Sequence, residues 1–233
     1  MFNKRDNIGV ILAGGKGSRL GSNTPKQFLE LGGRRIIEYT VDAFERHPGI
    51  DEIVIVVHNE WKVFTSELQK KNGWSKVRRI LDGGNERFES SLNAIREYSG
   101  KDVNLIFHDA VRPFISQRII SDVCHALDKY KAVDVTVPCT DTIVEVRDGY
   151  LVSIPDRSKL NRGQTPQAFR LEIIEDAYRL ALQDPSFKTS DDCGVVCHYR
   201  SDIPVFVVQG EEKNMKLTYP EDLAFLEVLL NQV

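Results

Sequence analysis

The residues best suited to chemistry lie in Ile11-Leu12-Ala13-Gly14-Gly15-Lys16-Gly17-Ser18-Arg19-Leu20-Gly21, closed by Pro25-Lys26-Gln27. An apolar run from Ile8 to Leu12 precedes them and reads as a buried strand. Glycines at 14, 15 and 17 permit a backbone tight enough to lie against phosphates with its N–H groups turned inward. Lys16, Arg19 and Lys26 add three cations within an eleven-residue span. A glycine-rich turn alone most often just joins two elements. Glycines with spaced cations directly after a first strand point instead to a polyphosphate site. Two familiar phosphate loops do not fit. The dinucleotide fingerprint G-x-G-x-x-G, counted from Gly15 and Gly17, meets Leu20 where its third glycine belongs. A P-loop closes on Gly-Lys-Ser/Thr, a triplet absent from the chain.

These residues need a scaffold, and 233 residues suffice for one large α/β domain or a domain with an appendage. Hydrophobic residues at 41% can build a core, and charged residues at 28% give an ordinary surface. A net charge of −3 provides no footprint for nucleic acid, so a cationic site has to be local. No apolar segment approaches a membrane span, and Met1-Phe2-Asn3-Lys4-Arg5-Asp6 lacks a signal-peptide core, so a cytoplasmic protein with reduced cysteines is expected. Cys193 and Cys197 stand four apart beside His198. Zinc would need a second ligand pair, and packing is the expected role.

Apolar β-branched runs alternate with helical periodicity along the chain. Strands are expected at Gly9–Leu12, Ile53–Val57, Val77–Leu81, Asn104–His108, Val133–Pro138 and Val205–Val208. Helices are expected over Ile36–His47, Trp61–Lys71, Glu86–Tyr98, Arg118–Tyr130, Leu171–Leu182, Asp192–Tyr199 and Glu221–Asn231, with Thr218 and Glu221 as a capping pair for the last. The alternation predicts a Rossmann-like α/β fold, a mostly parallel sheet with helices on both faces. Ligands of such sheets sit beyond the carboxyl ends of the strands, where the glycine loop, Asp82–Arg87 and His108–Ala110 would converge. Residues 139–160 break the pattern. Thr142–Val146 and Tyr150–Ile154 flank Arg147-Asp148-Gly149 and read as an inserted hairpin, either an extension of the sheet edge or a dimerisation arm. No repeat or linker divides the chain, so residues 1–233 are read as one domain.

Taken together, the segments resemble the cytidylyltransferases that activate polyol phosphates with CTP. The matching stretches are Leu12–Gly21, Pro25–Phe28, Asp82–Arg87, His108–Pro113, Gln164–Gln167 and Asn214–Thr218, in the family's order and spanning essentially the whole chain. The resemblance implies that an acceptor phosphate oxygen attacks the α-phosphorus of CTP in line and pyrophosphate leaves. The protein then contributes positioning and charge stabilisation. It implies catalytic roles for Arg19, Lys26 and Lys216. Contacts to CTP are implied for Leu12, Ala13, Gly14, Gly15, Lys16, Gly17, Gly84, Asn85, Ser90, Asp109 and Ala110, with Gly84, Asn85 and Ser90 around the cytosine. Arg157, Thr165, Asp109 and Lys216 would bind the acceptor. Mg²⁺ or another divalent cation would bridge the phosphates, with Asp109 as a candidate ligand. A homodimer is expected, its arm carrying Arg157 to the neighbouring site.

Four further positions are read more plainly. His108 would fix a loop, Arg112 would support that loop as an ion pair, and Asp191 and Asp192 would cap the helix that follows them. For the acceptor, Val111 after Ala110, the segment Arg162–Phe169 and Asp191–Val196 resemble the ribitol-phosphate branch, the last as found in enzymes fused to a ribulose-phosphate reductase. Ribitol 5-phosphate is therefore expected, with methylerythritol phosphate as the alternative. A nucleotide-sugar pyrophosphorylase using another triphosphate would share the glycine loop, and an inactive nucleotide-binding scaffold would have no need to keep Arg19, Lys26 and Lys216.

Overall fold

A computed structural model describes residues 5–15 and 24–231. Lys16, Gly17 and Arg19 therefore lie outside the described residues. The chain opens with β1 (Asp6–Ala13), a two-residue ribbon of β2 (Glu30–Leu31) and β3 (Arg34–Arg35), and α1 (Ile36–Glu45). It continues through β4 (Glu52–Val57), α2 (Lys62–Asn72), β5 (Val77–Asp82), α3 (Arg87–Tyr98), β6 (Val103–Asp109), α4 (Gln117–Lys129) and β7 (Ala132–Pro138). The hairpin β8 (Glu145–Arg147) and β9 (Tyr150–Ser153) comes next, then β10 (Asn161–Gly163) and β11 (Gln167–Arg170). The chain closes with α5 (Leu171–Ala181), α6 (Asp192–Tyr199), β12 (Phe206–Gln209) and α7 (Asp222–Leu230).

The main sheet runs β10-β7-β11-β6-β1-β4-β5, with β12 also on β7. Strand β1 lies parallel to β4 and β6, with Leu12 opposite both Val56 and Asp109. Its side chains alternate between two cores. Ile11 and Ala13 pack under α1, α2 and α4, whereas Ile8, Val10 and Leu12 pack under α3, α5 and α6. Burial on both faces is why β1 and β4 read as unbroken apolar runs.

The expected parallel sheet contains a reversed element that sequence reading did not assign. Strand β11 runs antiparallel between β6 and β7, and β10 is antiparallel to β7 as well. The two pieces flank a cis Thr165–Pro166 bond, and four residues of Gln-Ala-Phe-Arg are too short to show a period. The ends of β1, β5 and β6 nonetheless share one rim, as the alternation requires. The cap of α7 also differs from expectation. The Asp222 carboxylate accepts the N–H groups of Thr218 at 2.7 Å and Tyr219 at 2.8 Å, while the Thr218 hydroxyl turns back to the Lys216 carbonyl.

Strands β8 and β9 form a separate ribbon rather than an extension of the main sheet. Asp148 and Gly149 both have positive φ, 52° and 83°, the conformation of a tight hairpin turn. The apolar side chains of the ribbon are exposed, Val146 and Leu151 each by 58%. No helix among the described residues is long and apolar enough to cross a membrane.

Candidate active site

A cleft of about 400 Å³ opens at the shared rim. Leu12, Ala13, Gly14 and Gly15 form one wall, Gly84, Asn85, Glu86, Arg87 and Ser90 another, and Asp109, Val111, Lys216, Leu217 and Thr218 a third, with Lys26 and Gln27 between them.

The first wall is shaped from beneath. Pro25 opens a 3-10 turn, Lys26–Phe28, in which consecutive residues take different jobs. Phe28 is buried and stacks on Trp61 with ring centres 4.6 Å apart. Gln27 is buried, and its amide donates to the carbonyls of Ala13 at 2.6 Å and Gly15 at 3.1 Å. Lys26 lines the cleft and donates to the Thr218 carbonyl. Gln27 thus holds the backbone at Ala13 and Gly15, and the sequence hinted at this only through its place in the Pro-Lys-Gln run.

The two glycine segments touch. A Cβ on Gly83 would stand 3.0 Å from the Gly14 backbone, and one on Gly14 would stand 2.7 Å from the Ser90 hydroxyl oxygen. Neither position tolerates a side chain without displacement, which keeps this end of the cleft narrow. The Gly84 N–H donates to the Ser90 hydroxyl at 3.1 Å, and the N–H groups of Asn85 and Glu86 donate to the Glu89 carboxylate. The amide donors of this wall are spent inside the protein. What remains for a ligand is its carbonyls, the Ser90 proton and the Asn85 side chain.

The third wall is an electrostatic cluster. Asp109 is 6% exposed and meets Arg87 at 3.3 Å, Lys216 at 2.9 Å and Arg112 at 3.6 Å. Burial alone would raise its pKa, but the charges of Arg87, Lys216 and Arg112 outweigh burial and hold the carboxyl well below the usual carboxylate range. Arg112 additionally donates to the Asn214 carbonyl at 2.8 Å, the loop-supporting role expected of it. Asp191 accepts the Gly194 N–H at 2.8 Å and caps α6. Asp192 was expected to share that cap. It is fully buried and instead pairs with Arg87 at 2.7 Å. Nothing in the spacing names its partner, which lies 105 residues away.

Some expected contacts fall elsewhere. Ala110 is buried and does not line the cleft: its N–H donates to Leu12, and its carbonyl accepts from Thr40. Val111 occupies the wall instead. Thr165, expected to bind the acceptor, is 4% exposed and does not line the cleft, and its hydroxyl braces the wall from behind. Its oxygen accepts the Asp109 N–H at 3.2 Å and lies 3.0 Å from His108 Nδ1. Arg157 lies away from this cleft, exposed on the arm and donating to the Thr140 carbonyl at 2.8 Å. Cys193 is buried against the Val133 carbonyl and Cys197 is exposed.

As a metal ligand, Asp109 does not fit. Oδ1 faces Arg87, and Oδ2 faces both Lys216 and Arg112. A dication placed there would meet three like charges.

His108 is wholly buried, and burial pushes its pKa down to about 4. Its Nε2 faces the Arg112 carbonyl at 3.2 Å, so Nε2 carries the proton and bare Nδ1 accepts from the Thr165 hydroxyl. A histidine with a lowered folded pKa stabilises fully above its unfolded value and loses that contribution as pH falls toward the folded value. Between neutrality and about pH 5 the loss amounts to roughly 2 kcal/mol. The protein should therefore lose more stability than His108→Gln when urea unfolding is compared over that range. Parallel curves would show that His108 is not the titrating group.

A family model described as 2-C-methyl-D-erythritol 4-phosphate cytidylyltransferase matches residues 8–232. The protein of that name from Thermobifida fusca (strain YX) is 43% identical over 228 residues, 95% of this chain and 92% of the relative. A bifunctional ribulose 5-phosphate reductase/CDP-ribitol pyrophosphorylase from Haemophilus influenzae is 42% identical over 98% of this chain, which spans 49% of that longer protein. The crystal structure of 4-diphosphocytidyl-2C-methyl-D-erythritol synthase from Anaerococcus prevotii superposes with a TM-score of 0.86 at 29% identity, covering 98% of this chain and 97% of that one.

Proposed function

This chain belongs to the 2-C-methyl-D-erythritol 4-phosphate cytidylyltransferase family of CTP-dependent nucleotidyltransferases, and we propose from that premise that its acceptor is D-ribitol 5-phosphate, giving CDP-ribitol and pyrophosphate. The observation that carries the acceptor is the Asp191–Val196 segment read above, while the identities of 42% to the relative named for CDP-ribitol and 43% to the one named for methylerythritol phosphate are compatible with either acceptor. Methylerythritol 4-phosphate, the substrate in the name of the Thermobifida fusca relative, is the second reading.

In the reaction, a phosphate oxygen of the acceptor attacks the α-phosphorus, the bond from the α-phosphorus to the α–β bridging oxygen breaks, and that oxygen leaves on pyrophosphate. Gly14, Gly15, Gly84, Asn85 and Ser90 form the narrow end, which admits a pyrimidine more readily than a purine. Lys26 and Arg19 face the charge that grows on the α-phosphate and the leaving group, with Lys16 and Gly17 along the triphosphate. Lys216, set against Asp109, receives the acceptor phosphate. A phosphate near neutral pH is already ionised, so no general base is required, and neutral buried His108 is not one. A divalent cation such as Mg²⁺ would, when bound, neutralise phosphate charge, and Asp109, which faces three cations, would not hold it. Phosphorus NMR of protein, CTP, Mg²⁺ and ribitol 5-phosphate should show CDP-ribitol and pyrophosphate appearing in equal amounts. No turnover with ribitol 5-phosphate or methylerythritol 4-phosphate would remove the reading.

The arm supports a homodimer. Val146, Leu151 and Val152 are exposed on a two-stranded ribbon, which is marginal by itself, and Ile143 and Val144 are exposed just before it. Arg157 beyond it suits a phosphate in the neighbouring site, because its planar fork donates two parallel hydrogen bonds. Inactive Arg157→Ala and Lys26→Ala proteins, unfolded and reassembled together, should regain part of the activity. No recovery despite subunit exchange would remove the role in trans.

A further inference from the structure

Arg87 is the first residue of α3, directly after the Gly84–Glu86 wall. Its guanidinium spans two carboxylates distant in sequence, Asp109 at the end of β6 and Asp192 at the start of α6. Nε donates to Asp109 Oδ1 at 3.3 Å, and Nη1 donates to Asp192 Oδ2 at 2.7 Å. Burial would depress its pKa, but Asp192 and Asp109 outweigh burial and raise it, so the charge is permanent. Nη2 is buried with no hydrogen-bond partner among the described residues. An arginine placed to satisfy its own donors would not leave one buried and unmet. Its position is set by the bridge.

The far end of that bridge is rigid. Asp192 has no exposure and is held on three sides: Arg87, the Tyr178 hydroxyl at 2.7 Å, and its own N–H on the Gln167 side-chain oxygen at 3.0 Å. Gln167 begins β11, the reversed strand beside β6. The near end opens on the cleft. Asp109 faces Lys216, whose side chain is 41% exposed and which lines the cleft. The chain of contacts therefore runs from a fixed anchor on α6, through Arg87, to the carboxylate that sets where Lys216 waits.

We propose that Arg87 is a positioning residue: anchored by Asp192, it fixes the Asp109 carboxylate, and through it Lys216, for acceptor binding. This rests on the reading that Asp109 and Lys216 face the acceptor. A lysine cannot reproduce the bridge, because an ammonium is a point charge without the fork needed to meet two separate carboxylates.

Arg87→Lys keeps the charge and most of the volume. It should raise the acceptor KM by about tenfold or more with a smaller change in kcat, the pattern of lost binding. The Kd for CTP, titrated by calorimetry with Mg²⁺ and no acceptor, should stay within about twofold. Asp192→Asn keeps a hydrogen-bond acceptor for Tyr178 but loosens the anchor, so it should show the same split, smaller. The double variant should show less than the product of the two single effects, because both act through one chain of contacts. An unchanged acceptor KM in Asp192→Asn overturns the anchor. An unchanged acceptor KM in Arg87→Lys overturns the positioning role, and equal losses of CTP affinity and acceptor KM assign both residues to general folding of the site. Should Arg87→Lys fail to fold, Asp192→Asn alone decides. Absence of transfer by the unmodified protein would strike the acceptor reading itself and not this bridge.

Discussion

Lys26→Ala should lower kcat by about a hundredfold or more while changing the KM for CTP far less. The turn that carries Lys26 is held independently of its side chain. Phe28 is locked on Trp61, and Gln27 binds the carbonyls of Ala13 and Gly15. Truncating the lysine removes a cation and its bond to the Thr218 carbonyl but leaves the turn in place, so stability should change by only about 1–2 kcal/mol. The loss appears in kcat because negative charge accumulates on the α-phosphate oxygens and the departing pyrophosphate as the new bond forms. Arg19→Ala is expected to follow the same pattern. Single-turnover rates with saturating CTP give the measurement. A near-normal rate with weakened CTP binding would reassign Lys26 to holding the ground state.

Asp109→Asn should damage both the fold and the site. The amide keeps the shape but removes the charge that faces Arg87, Arg112 and Lys216. Removing one partner from a buried ionic cluster costs about 3–5 kcal/mol, because the cations left behind have already given up their water. The pH dependence gives the sign. A carboxyl held below its ordinary range stabilises the protein above about pH 4 and loses that contribution as pH falls further. Stability of the unmodified protein should therefore fall steeply in acid, and Asp109→Asn should start lower and fall less. Acceptor KM should rise as well, since Lys216 loses the group it waits against. An Asn variant of equal stability and equal acceptor KM would show the cluster to be ornamental.

The parts of this protein that were legible from residues alone are those governed by local rules. Two-sided burial makes β1 and β4 unbroken apolar runs, three-and-four spacing marks α1 to α5, and Asp148-Gly149 declares its own turn. Strand ends in a parallel sheet bring the glycine loop, Asp82–Arg87 and His108–Ala110 to one rim, whereas Lys216–Thr218 directly follows no strand and is legible only through the family resemblance. The illegible parts depend on partners distant in sequence. Asp192 reads as a cap beside Asp191, yet its burial sends it to Arg87. The resemblance gives Thr165 to the acceptor, and only the fold shows that its hydroxyl also engages His108 and the Asp109 backbone. Reversed β11 is too short for periodicity to speak. Ala110 sits one residue too early, and the side chain in the wall belongs to Val111.

The most direct measurement of the central claim is the ratio of kcat/KM for D-ribitol 5-phosphate to that for 2-C-methyl-D-erythritol 4-phosphate, with CTP and Mg²⁺ saturating and pyrophosphate release as the readout. Discrimination between acceptors of similar size that differ in a few contacts is expected to reach about tenfold or more, in favour of ribitol 5-phosphate. A ratio below one, with methylerythritol 4-phosphate turned over efficiently, would contradict it.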